Sequence, residues 1–420
     1  MKKIIACIFC IVLVFCTGCS HKYTQDIDVK SDNKVEYRDI TDAQNYYSEC
    51  NIADDGVGYY FTDPRVDGST VGYVLFYYDK NVGQAVPLCS KINCNHSDQS
   101  CDAYFTKEEC MDGFIWYQNH SLFRIEKDND TGNVYLVSFN RDGSNPVRGN
   151  ILWNGDNVRY SEFKTIYFRS MVMHKGYLYY TYQLDVNDDV SVYRVNIDGN
   201  GERELLGTIP NSNDIKSVGE IHLSNDNENV YFSVECSLNN TDELAMVLCQ
   251  YNINSGDFNT VMQEKGTKDY QLLKDDSGKV VGTTGNGWSG NLDIMDLAFD
   301  NDHNMYAYKG VTGEVFKYNL QTKELKKIYQ TEGSGNLVFY QEHLYLSNYN
   351  NTDAKITEID TDGKLVREID PGTCYNYFGD SDAMISKKQK RQGNVLVDDY
   401  YVYDKNTSEW KMILENEVMK

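Results

Sequence analysis

From about residue 41 onward, short apolar and aromatic runs with the alternating period of strands are separated by Asp-, Asn- and Gly-rich turns. No long stretch keeps the 3.6-residue period of a helix. The runs draw on Tyr, Val, Ile and Phe, with 34 tyrosines and only five prolines in 420 residues. Laid over one another, they reveal a repeat. An apolar or aromatic residue followed by Asp or Asn closes one strand, and a polar turn and a second strand follow. The instances are Tyr78-Asp79, Phe139-Asn140, Val195-Asn196, Tyr251-Asn252, Tyr318-Asn319, Ile359-Asp360 and Tyr403-Asp404, with anchors 61, 56, 56, 67, 41 and 44 residues apart. An Asx side chain recurs there for a physical reason: it accepts a hydrogen bond from backbone two residues on and nucleates the turn. A second strand pair precedes each hairpin, as in MVMHKGYLYYTYQ, AFDNDHNMYAYKG and LVFYQEHLYLSNY.

Four antiparallel strands per unit and seven units predict an all-β chain, a seven-bladed β-propeller forming a single domain over 41–420. Eight or six blades are the alternatives, because a Gly-rich insert at about 264–293 (GTTGNGWSGN within it) has the length of a degenerate eighth blade. The last unit supplies four strands of its own, near 375–378, 383–386, 397–403 and 410–414, so ring closure does not call for a strand from the N-terminus. The tyrosines are expected to pack between blades.

The N-terminus changes the picture of location. Lys2 and Lys3 precede an apolar run over 4–15, too short to span a bilayer and therefore read as a signal peptide. Cys16-Thr17-Gly18-Cys19 follows, and it resembles the bacterial lipoprotein processing site, with Cys16 departing from the usual Leu or Val. That resemblance implies a signal peptide over 1–18, diacylglycerol on Cys19 and a polar tether over 19–40. It places the chain outside the cytoplasm, anchored by lipid to a bacterial membrane. An ordinary secretory peptide cut nearby, or an uncleaved anchor, is the other reading. Removing Lys2 and Lys3 leaves 38 basic against 63 acidic residues, a net charge of −25. Such a balance argues against nucleic acid and against adhesion to anionic lipid, so the acyl chains would do the anchoring.

Candidate chemistry concentrates in the segment Cys89-SKIN-Cys94-N-His96-SDQS-Cys101, inside a first insert at about 89–112. In a four-stranded blade this segment would follow the outer strand of unit one, on the rim that carries the crossovers. Three thiols and an imidazole suit tetrahedral zinc, although the spacing matches no common zinc template. Disulfides are the reading the compartment favours, with zinc and then free thiols as the alternatives: an exported chain with eight cysteines beyond Cys19 (Cys50, Cys89, Cys94, Cys101, Cys110, Cys236, Cys249, Cys374) can pair them all. Cys236 and Cys249, on two arms of one hairpin, are expected to face each other, and Cys110 is a partner for one of the loop's three. Elsewhere the rim loops are acidic. Asp185, Asp188, Asp189 and Asp242 are the best candidates for a ligand or calcium rim, but no loop meets a calcium template: the nearest, from Asn196, has Gly207 where the bidentate Glu belongs. No cofactor is predicted; a structural zinc or calcium ion is the alternative. No Ser/His/Asp or paired-carboxylate arrangement stands out.

The lipoprotein start, the repeats and the segment PLCSKINCNHSDQSCDAYF together resemble propeller lipoproteins of anaerobic Gram-positive gut bacteria, which share the pattern PLCxKxxCxHxxxxCxAxF. More distantly the repeats are similar to quinoprotein-like and receptor-type propellers. The resemblance implies a fold and a location, and no activity. The function expected is that of a non-enzymatic cell-surface module for a protein, peptide or glycan ligand. A propeller-type lyase or glycosidase using rim acids, and a scaffold or sensor of a membrane complex, are the alternatives.

Overall fold

The computed structural model describes residues 52–415 except 68–69, 95, 97, 154–170, 183–190, 200–201, 209–216, 224–227, 238–242, 275–279, 290–293, 301, 310–312, 332–336, 348–354, 370–375, 380–383 and 393–394. Its strands assort into seven separate antiparallel sheets, each built from consecutive strands, and the sheets form a ring: a seven-bladed β-propeller. Blade 1 comprises β1 (Ile52–Asp54), β2 (Gly58–Asp67), β3 (Thr70–Asp79) and β4 (Gln84–Pro87), with β5 (Tyr104–Thr106) also paired to β3. Blades 2 to 7 span 115–153, 171–208, 217–289, 294–330, 337–369 and 376–414. The insert at 264–293 is part of blade 4. Its fourth strand, Phe258–Lys274, pairs on one side with Glu243–Asn252 and on the other with a fifth strand, Val280–Ser289.

The hydrophobic core is a ring of layers, because each cluster of buried side chains is shared by neighbouring blades. Leu297 and Phe299 of blade 5 pack with Tyr231 and Leu248 of blade 4, and Tyr306 and Tyr308 of blade 5 pack with Leu337 and Phe339 of blade 6. An inner strand is therefore covered on both faces, and Tyr59, Tyr60, Phe61, Thr62 and Asp63 of β2 are all buried in succession. Outer strands such as Leu325–Gln330 lie largely exposed. Aromatic pairs mark six of the seven junctions. Their ring centroids lie 5.9 Å apart for Tyr60–Tyr117, 6.3 Å for Tyr179–Tyr251 and 5.1 Å for Tyr231–Phe299. The other three are Tyr306–Phe339 at 6.2 Å, Tyr345–Tyr403 at 6.2 Å and Phe61–Tyr400 at 4.6 Å. At the junction of blades 2 and 3, Tyr180 donates to the Leu152 carbonyl at 3.2 Å, and the Arg203 guanidinium lies 5.5 Å from the Trp153 ring. The tyrosines thus pack between blades, as the sequence predicts.

Six of the seven Asx anchors work locally as expected; in the turn after Asn140 it is Asp142 whose side chain accepts the N–H two residues on, from Ser144 at 2.9 Å. The side chains of Asp79, Asn196, Asn252, Asn319, Asp360 and Asp404 each accept the N–H two residues on, at 2.7 to 3.1 Å. In the longest of these turns the residue four positions on bonds back to the anchor's carbonyl with left-handed backbone: Gly83 and Gly256, but also Lys323 (φ 63°) and Ser408 (φ 60°).

Among the described residues, blade 7 closes the ring against blade 1 without exchanging a strand. Beside the Phe61–Tyr400 pair, Tyr400 donates to Asp63 Oδ1 at 3.1 Å, and Arg65 pairs with the same carboxylate. Burial pushes the Asp63 carboxyl up to about 7, with the Asp398 charge adding to the effect and Arg65, Tyr400 and Lys387 opposing it. The folded ring then holds a proton that the unfolded chain releases, so this group's contribution to stability falls as pH rises from about 3.8 to about 7. Asp63→Asn keeps the shape and removes the titration. Its stability relative to the wild type, read from denaturant midpoints, should grow across that window and level off above it; a pH-independent difference would show that Asp63 carries no such proton.

Candidate metal centre

β4 and β5 occupy one edge of β3, and together they form a single outer strand that is interrupted. β4 pairs with the Phe76–Asp79 end of β3 and β5 with Gly72–Val74. Between them Leu75 holds both ends of the interruption: its carbonyl accepts the Leu88 N–H at 2.9 Å, and its N–H donates to the Ala103 carbonyl at 2.9 Å. Leu88 and Ala103 share the place of one residue, and 89–102 make an excursion from mid-strand. The Cys/His segment expected in a rim crossover is therefore an outgrowth of the blade's outermost strand. The crossover proper begins after β5, with a 3-10 turn at Met111–Gly113 leading into blade 2.

Local chemistry shapes the excursion. Asp98 forms an Asx turn with the Ser100 N–H at 2.8 Å, and the Cys101 N–H closes on the Asp98 carbonyl at 3.0 Å. Asn93 (φ 60°) and His96 (φ 52°) have left-handed backbone on either side of Cys94 and turn the chain sharply there. The two legs are clasped by Lys91, which pairs with Asp102 at 2.6 Å and donates to the Ser100 carbonyl at 2.5 Å. Cys101 and Ala103 are buried against the core, and Cys89 and Cys94 pack partly against it, while Ile92 is 91% exposed.

These turns bring together all four of the residues singled out by type. Cys89, Cys94, His96 and Cys101 offer ligand atoms that lie within 4.8 Å of one another, and His96 Nδ1 is 3.2 Å from Cys101 Sγ. The four differ in acidity. Burial pushes the Cys101 thiol up to about 12. Burial also acts upward on Cys89, but hydrogen bonds from the Lys91 and Asp102 backbone and from the neighbouring thiols outweigh it and hold Cys89 below the ordinary thiol value. Burial, helped by the Arg65 charge, lowers the His96 imidazole and keeps it neutral, the form that binds metals. Such a set can take a metal ion or oxidise in pairs.

The other expected site residues do not join this group. Cys236 stands opposite Ala245 and Cys249 opposite Phe232, so the expected facing pair is offset by four positions, about 13 Å along the strands and far beyond disulfide reach. Cys110 is buried and its thiol donates to the Phe114 carbonyl at 3.6 Å, outside the cluster. Cys19, Cys50, Cys374, Asp185, Asp188, Asp189 and Asp242 lie outside the described residues. Sequence reasoning missed the Lys91–Asp102 clasp; a lysine just after the first of the three cysteines and an aspartate just after the last were its signal.

The fold is similar to the crystal structure of puromycin hydrolase, at 10% identity and a TM-score of 0.52, covering 89% of this chain and 54% of that one. It is also similar to prolyl oligopeptidase B from Galerina marginata, at 11% identity and a TM-score of 0.50, covering 90% and 51%. The β-propeller domain of the Trilobed protease from Pyrococcus furiosus matches at 10% identity and a TM-score of 0.45, covering 89% and 98%. The chain thus spans about half the length of the first two. At such identities the likeness is one of fold. No protein-family model matches the sequence, and no curated protein does.

Re-entry of the excursion depends on Gly72, where an added Cβ would sit 2.0 to 2.7 Å from atoms of the Tyr104 ring. Gly72→Ala should push Tyr104 and β5 off the strand edge, at a cost of about 1–3 kcal/mol. Denaturant unfolding would show the loss, and limited proteolysis should cut first within 89–103. Wild-type stability in this variant would refute the strand-edge account.

Proposed function

We propose that the chain is a lipid-tethered propeller on the outer face of a bacterial membrane and serves as a non-enzymatic binding module, with a protein or peptide as its ligand. The tether rests on the sequence alone: Lys2, Lys3, the apolar run and Thr17-Gly18-Cys19. The observation that carries the binding role is in blade 4. Among the described residues, pairing between the third and fourth strands reaches Glu243–Thr267, and the fourth and fifth strands remain paired beyond it to Lys274 and Val280. Two paired arms, 268–274 and 280–288, therefore continue past the last described pair with the third strand. A two-stranded ribbon is marginal in water by itself, and strand edges are templates on which another chain can pair. Both properties suit a segment that docks on a partner, and strand edges favour an extended peptide over a glycan.

Lys268 and Trp288 are register partners, so a two-residue Asn-Gly turn can replace the ribbon beyond them. The full-length chain and this shortened form would be compared on an immobilised peptide panel and a glycan array. The expected result is peptide binding that the shortened form loses, while its thermal midpoint stays within about 4 °C of the parent. Undiminished binding would overturn the role of the ribbon, and turnover of any peptide or glycan would overturn the non-enzymatic reading. In bacterial cells expressing the full-length chain, Cys19→Ala should move it out of the membrane fraction; retention there would overturn the lipid tether.

A further inference from the structure

We infer that Cys89, Cys94, His96 and Cys101 bind one zinc ion, in a closed tetrahedral site that staples the excursion to the outer strand of blade 1. Zinc bonds of about 2.3 Å to sulfur and about 2.0–2.1 Å to nitrogen place the ligands of a tetrahedron roughly 3.5–3.8 Å apart. The four atoms here already lie within 4.8 Å of one another, with the His96–Cys101 pair at 3.2 Å. Closing on a common ion asks for sub-ångström shifts. A disulfide would join only two of the three sulfurs and leave the third, and the imidazole, without a role.

The surroundings are those of a thiolate site. Backbone N–H groups of Lys91 and Asp102 point at Cys89, and the Ala103 N–H donates to Cys101 Sγ at 3.3 Å. Amide donors of this kind stabilise sulfur that carries negative charge, and they orient it as outer partners orient metal ligands. Three thiolates around a divalent ion leave one net negative charge, and the Lys91 ammonium is clasped beside it by Asp102. A soft set of three sulfurs and one nitrogen selects zinc over calcium or magnesium, which take oxygen. Four protein ligands leave no open position, so the ion holds structure and does not activate water. The left-handed residues Asn93 and His96 stand on either side of Cys94, in the stretch whose Cys94 and His96 reach the cluster.

The full-length chain, extracted in detergent without chelator or reductant, should carry about one zinc ion per polypeptide by elemental analysis. Alkylation mapped by peptide mass should find Cys89, Cys94 and Cys101 protected together and exposed together by a strong chelator. Cobalt in place of zinc should give thiolate-to-metal charge transfer and the intense visible bands of tetrahedral geometry. Cys94→Ser with His96→Ala should bring the metal content close to zero, and if that variant does not fold, the wild-type alkylation and cobalt spectra decide. A disulfide among the three cysteines, with no zinc or cobalt taken up by the reduced chain, would overturn the proposal. So would full metal content in the double variant, or thiols that react freely with zinc present.

Discussion

Everything in this molecule depends on aromatic rings wedged between neighbouring sheets. A four-stranded blade is too thin to bury its own faces, and it acquires an interior only when a second blade covers it. Tyrosine suits that place because the ring supplies area and the hydroxyl reaches a polar partner at the edge of the layer. Tyr60 illustrates both: it stacks on Tyr117 of the next blade while its hydroxyl donates to buried Asp55 and accepts from Arg141 of blade 2. Arg141 also binds the Asp55 carboxylate, so one side chain ties two blades. Blade 5 repeats the theme, with Tyr306 donating to Asp300 at 2.6 Å and Lys317 5.7 Å from its ring. Burial, aromatic contact and charge pairing are thus made by the same residues at the same junctions.

Much of the fold was legible because its determinants are local. An Asx residue that organises its own turn leaves the same mark in each unit, and a strand covered on both faces reads as an unbroken apolar run. Tyr59–Asp63 shows where such reading stops, since the acid that ends the run is as deeply buried as the rings, and its partners include Tyr400, far away in the sequence, and Arg65. The insert in blade 4 was ambiguous for a related reason. Strand period continues through it, and nothing in the period says whether a strand starts a new sheet or extends an old one.

The candidate site divides along the same line. Which residues converge could be read from type and proximity, because Cys89 to Cys101 is one short stretch. Where they converge could not, because the excursion is defined by Leu75, whose pairing with both Leu88 and Ala103 has no sequence signature. The expectation for Cys236 and Cys249 failed through register. Their strands do form a hairpin, but Ser237 opposite Leu244 fixes every other pair, and alignment of the cysteines would require a slide of four residues.

The seam between blades 7 and 1 has a consequence for how the ring is assembled. At six junctions a blade meets the one made just before it, so contacts can form as the chain emerges. The seventh joins Asp63 to Tyr400, 337 residues apart. Loop-closure entropy grows only slowly with such length, so the last contact costs little extra in equilibrium but must wait for the whole chain. Until Tyr400 arrives, the aromatic face of β2 is bare, and the nascent ring is an open arc with two sticky ends. A chain threaded across a membrane N-terminus first would hold that state for its entire transit. Release of the last blade is then the moment at which the ring can close.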